Sequence, residues 1–173
     1  LVPEGSSIGK GAATGISLGL IIVVFFVYDV LWKALASNET AGVAVSFLIV
    51  AVSIFALSRI FVGRALYIHL GALFGTIMAM NVWMRIWPSQ KKIIAAIKGG
   101  TAPDPGLVSL AGLRSKHNTY MSVPLVFSMF GLHMPQFYGS DYGWALLILI
   151  VIVGWAAVKL LYANAARPAP ARF

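Results

Sequence analysis

Residues 66–88, "LYIHLGALFGTIMAMNVWMRIWP", form an almost unbroken apolar run with His69 near one end and Asn81 and Arg85 near the other. At 1.5 Å per residue, such a run is long enough as a helix to cross the roughly 30 Å of bilayer hydrocarbon. Filling lipid does not require a histidine, an asparagine or an arginine, and an ionisable or amide group there is costly unless it has a partner. The run therefore argues for a membrane helix whose polar residues serve packing or chemistry.

The rest of the chain repeats the pattern. Of 173 residues 60% are hydrophobic and 10% charged, with a mean hydropathy of +0.88, far from soluble usage. Five apolar runs of spanning length follow one another: Thr14 to Lys33, Gly42 to Phe61, Ala65 to Trp87, Asn118 to Pro135 and Tyr142 to Tyr162. Long alternating patterns are missing, which argues against a β-barrel. The expected fold is all-α, a polytopic bundle of about five transmembrane helices. Residues 1–164 are expected to form one transmembrane domain, and residues 165–173, rich in Ala and Pro, a flexible tail.

In "QKKIIAAIKGG", Gln90 to Gly100, an Ile93, Ile94 and Ile97 stripe opposes Lys91, Lys92 and Lys98, which predicts a short helix in the headgroup plane. The "TAPDPG" after it, Thr101 to Gly106, predicts a turn-rich loop. Lys10, Arg59 and Arg64 lie on one side of the expected membrane and the other ten of the 13 Lys and Arg on the opposite side. The positive-inside rule then puts the N-terminus outside and the C-terminus inside, in a multi-pass arrangement. The formal charge of +8 is thus assigned to loops near anionic lipid, and nucleic acid is not an expected partner. With no cysteine, thiolate metal sites, cysteine nucleophiles and covalently attached haem are excluded.

Depth sorts the polar residues. His69 and His133 fall near the outer edge, whereas His117, 16 residues before His133, lies about 24 Å away along a continuous helix. Two imidazoles at one level suit the two axial positions of a b-type haem, with Gly71 and Gly75 letting a flat ring approach the backbone. Both observations also have plain explanations. Histidines at an interface bond to carbonyls or water, and a GxxxG face packs helices together. At the inner face, Asn81, Arg85, His117, Asn118 and Tyr120 form a cluster that either binds a small polar ligand or quinone headgroup or ties two helices together. Asp29 and Lys33 are spaced for a pair within one helix, Arg85 for snorkelling, and Trp32, Trp83, Trp87 and Trp144 for an aromatic belt.

"GRALYIHLGALFGTIMAMNVWMRIWPSQKKIIAAIKGGTAPDP" (Gly63 to Pro105) and "RSKHNTYMSVPLVFSMFGLHMP" (Arg114 to Pro135) resemble the membrane domain of the bacterial membrane-bound urate oxidases, the urate hydroxylases. "VYDVLW" (Val27 to Trp32) and "FYGSDYGW" (Phe137 to Trp144) fit the same pattern. The resemblance implies that His69, Asn81, His117, Asn118, Tyr120 and His133 belong to one motif set. It further implies an oxidoreductase, if catalytic, that passes electrons from urate or a similar heterocycle to a cytochrome c-type partner. The family's upstream helices and its cytochrome c domain are not in this stretch, so the expectation is a truncated or split relative. Three roles follow: an electron-transfer subunit holding haem b through His69 and His133 among other membrane subunits, a urate-oxidising enzyme, or a cofactor-free structural subunit in the lipid bilayer.

Overall fold

The computed structural model describes residues 2–3 and 7–166. Seven helices follow in order: α1 Lys10–Ala34, α2 Glu39–Ser58, α3 Gly63–Asn81, α4 Trp87–Lys98, α5 Pro105–Gly131, the single turn α6 Pro135–Tyr138, and α7 Gly143–Ala165. The described residues contain no strand. The chain is an all-α helix bundle, as its composition predicts. Residues 167–173, most of the expected tail, lie outside the described residues.

Helices α3 and α4 are one rod. A π-helical turn, Val82–Ile86, joins them without a break, so Gly63–Lys98 runs for 36 residues. That is about 54 Å, well beyond the hydrocarbon thickness. The Lys-rich segment is therefore the end of the central helix, packed beside α5, and not a separate headgroup-plane helix. Pro88 does not break the rod, because it sits at the start of α4, where the surrounding π turn already rearranges the backbone bonding. Gly100, with φ of +70°, ends the rod.

Among the described residues, four helices are long and apolar enough to cross a membrane: α1, α2, the α3–α4 rod and α7. The fourth expected span, Asn118 to Pro135, is longer than predicted and starts earlier. Asp104 accepts a hydrogen bond from Gly106 N at 2.7 Å and Pro105 takes the first helical position, so α5 begins inside the predicted loop. Its first half carries Arg114, Lys116, His117 and Asn118, which keep it out of the apolar set. The rod is the least hydropathic of the four yet has 56% of its apolar window buried, against 11–22% for the others. Greasy helices face lipid, and the helix with glycines and polar groups takes the centre.

The glycine face of α3 meets α5. A Cβ on Gly71 would lie 2.7 Å from Ser128 Oγ and would collide with the end of Met129, and one on Gly75 would sit 3.5 Å from Leu125. The space beside both glycines is filled by protein. Tyr67, wholly buried, occupies the equivalent place against Gly131.

Candidate functional site

His69 is buried, and both of its ring nitrogens are occupied. Nδ1 lies 2.6 Å from the Ala65 carbonyl, to which it donates, and Nε2 lies 2.7 Å from the Ser17 hydroxyl of α1. The ring stacks on Phe61 at 4.1 Å. His133 is exposed in the turn between α5 and α6. With no free nitrogen on His69 and no gap beside Gly71 and Gly75, these residues do not fit the expected axial ligation of a haem b. His69 packs α3 against α1, and His133 takes no part in that contact.

The inner half holds the polar groups. Asn81 is fully buried, and its amide nitrogen donates to Asn118 Oδ1 at 2.9 Å and to the Tyr28 hydroxyl at 3.1 Å. Asn118 in turn donates to the Met78 carbonyl at 3.1 Å. The Tyr28 hydroxyl lies 2.7 Å from His117 Nδ1, and Trp32 packs on the His117 ring with centroids 4.0 Å apart. Residues from α1, α3 and α5 thus close into one network, three of them from the expected cluster. Arg85 and Tyr120 depart from it. Arg85 turns to Asp29 instead of snorkelling, and Tyr120 stacks on Tyr162 of α7 with interplanar angle 12°.

Asp29 is the hub beneath. Its carboxylate accepts from Lys33 at 2.8 Å, as the spacing within α1 predicts, and also from Arg85 Nε at 2.9 Å and Arg114 Nη2 at 2.8 Å. The explanation by a pair within α1 was therefore incomplete. Arg114 carries its guanidinium over the Tyr28 ring, 4.8 Å from the centroid. One anion with three cations ties α1 to the π turn and to α5. The π turn follows Asn81 directly and contains Arg85, so the local change in helix winding sits where both side chains reach α1.

Beside this network lies a cavity of about 810 Å³ between α1, α2, α3, α5 and α7. Its polar lining comes from Glu39, Lys116, His117, Tyr120, Lys159 and Tyr162, and its apolar depth from Val50, Phe74, Ile77 and Met121 among others. Lys116 is paired with Glu39. Lys159 makes no ion pair among the described residues. Ser46 Oγ and Trp155 Nε1, on residues of the same wall, are buried without a hydrogen-bond partner. Of the expected cluster, His117 and Tyr120 line the cavity, whereas Asn81, Arg85 and Asn118 stand behind it.

Sequence reasoning missed Tyr28, Trp32, Lys159 and Tyr162 as site residues. Trp32 was assigned to an aromatic belt, but only 5% of it is exposed and it covers His117. Trp83 and Trp87 are exposed at the surface of the rod, as belt residues should be. A signal existed for the first two: Tyr28 and Trp32 are spaced i, i+4, on one face of α1, and flank the only acidic residue in that helix. Lys159 and Tyr162 repeat that face spacing at i, i+3 on α7.

Apolar helices long enough to cross a membrane around a more polar central rod, with a cavity at one end, define a membrane-type helix bundle. The chain belongs to the urate oxidase N-terminal family, whose model matches residues 2–170. No curated protein and no solved structure gives a match.

Proposed function

We propose that this chain is the membrane-embedded substrate domain of a urate-oxidase-type oxidoreductase, and that the His117 cavity takes a small planar anionic heterocycle, urate first. The carrying observation is the lining itself: flat aromatic walls from Trp32, Tyr120 and Tyr162 beside Lys159, which makes no ion pair among the described residues. An aromatic wall stacks a planar ring, and the exposed Lys159 ammonium at its edge attracts its negative charge. Family membership supplies the ligand class.

Two-electron oxidation of such a ring reduces two equivalents of a one-electron acceptor of the cytochrome c type, supplied by a partner chain or domain, with the protons released to water. The residues around the cavity bind and orient the ring, and the chain operates among other subunits in a bacterial inner membrane. The test is urate binding to the purified chain in nanodiscs, with urate-dependent reduction of added cytochrome c in native membranes. Saturable binding that Lys159→Ala weakens about tenfold is expected. Absence of binding in the wild-type chain overturns the proposal and leaves a structural role.

A further inference from the structure

The hydrogen bonds behind the cavity have a direction, and a backbone carbonyl sets it. The Met78 carbonyl only accepts, so the Asn118 group 3.1 Å from it is the amide nitrogen. The Asn118 side-chain oxygen must then accept the 2.9 Å bond, which makes the facing group of Asn81 its amide nitrogen. That same nitrogen lies 3.1 Å from the Tyr28 oxygen and donates to it. The Tyr28 hydroxyl proton has one partner left, His117 Nδ1 at 2.7 Å. In the reverse arrangement, with Nδ1–H donating to Tyr28, the half-buried hydroxyl proton would have no acceptor among the described residues, and a hydrogen bond would be lost.

From this we infer that Tyr28 is a positioning residue that holds His117 as the neutral Nε2–H tautomer, so that the cavity offers a hydrogen-bond donor there and selects ligands that present an acceptor. Nε2 makes no hydrogen bond among the described residues, and His117 lines the cavity. Trp32, 4.0 Å away on one face, limits rotation of the ring. The matching ligand edge is a ring carbonyl or a deprotonated ring nitrogen; an amino group at that edge would meet donor with donor. This rests on the cavity being the ligand site proposed above, and it adds which ligand edge meets His117.

Nitrogen NMR of the chain labelled with ¹⁵N-histidine, in nanodiscs, reads the tautomer directly, with His117→Gln assigning the signal. The expected wild-type spectrum has a protonated Nε2 and an unprotonated, hydrogen-bonded Nδ1. In Tyr28→Phe, Nδ1 should move toward the position of a nitrogen without a hydrogen bond, and urate binding should weaken about tenfold. An imidazolium or an Nδ1–H tautomer in the wild-type chain overturns the inference without needing any variant, as does an Nδ1 signal unchanged in Tyr28→Phe. If wild-type protein shows the expected tautomer but no urate binding, the ligand assignment fails while the positioning role of Tyr28 stands.

Discussion

Arg114 of α5 places Nη2 2.8 Å from Oδ1 of Asp29 on α1, with only 2% of its own side chain exposed. The two residues are 85 apart in sequence, so this bond is a property of the folded bundle alone. Buried ion pairs owe little net stability to their attraction, but breaking one strands the other charge. Asp29→Asn removes the single anion facing Lys33, Arg85 and Arg114. It should destabilise the bundle by about 3–5 kcal/mol, read as a lower unfolding midpoint in detergent. Lys33→Ala, whose ammonium is 62% exposed, should change the midpoint by less than about 1 kcal/mol.

Asn81 joins α3 to α1 and α5 through its amide nitrogen. Asn81→Leu should cost on the order of 1 kcal/mol in bundle stability without preventing insertion. A double-mutant cycle with Asn118→Leu isolates the pair: a coupling near zero would mean that the 2.9 Å bond carries no energy.

The two glycines of "GALFG" should respond differently to a methyl group. Gly71→Ala forces Ser128 and Met129 of α5 to move and should cost about 1–3 kcal/mol. Gly75→Ala meets Leu125 at an ordinary 3.5 Å and should be nearly neutral. Equal losses at both positions would contradict helix contact as the role of this face.

The lack of cysteine makes topology easy to measure. With Lys91, Lys92, Lys98 and Lys116 inside, a single Thr101→Cys should be protected from an impermeant thiol reagent in intact cells, and Ser140→Cys should react. Labelling of Thr101→Cys from outside would reverse the orientation.

The all-helical class, membrane character and the Asn81 to Asn118 contact were legible in the sequence because they depend on short-range quantities: runs of apolar residues, and depth counted along a helix. The pairing of His69 with His133 was also argued from depth, but depth does not specify azimuth. In the fold the His69 ring points at Ser17 of α1 and His133 leaves the bundle at a turn. The headgroup helix failed for a related reason: its amphipathic stripe is satisfied equally by lipid and by α5, and only packing chooses.

By itself, the sequence determined that this chain is a cysteine-free helical membrane bundle with its polar residues confined to a few levels, since transfer free energy into lipid is set by composition. Only the tertiary structure decided that one carboxylate on α1 gathers cations from three elements, and that Tyr28 and Trp32 rather than His69 and His133 define the neighbourhood of the cavity. The rotation of each helix about its axis is chosen by side-chain packing and buried hydrogen bonds between residues distant in sequence, a collective quantity that no local pattern encodes.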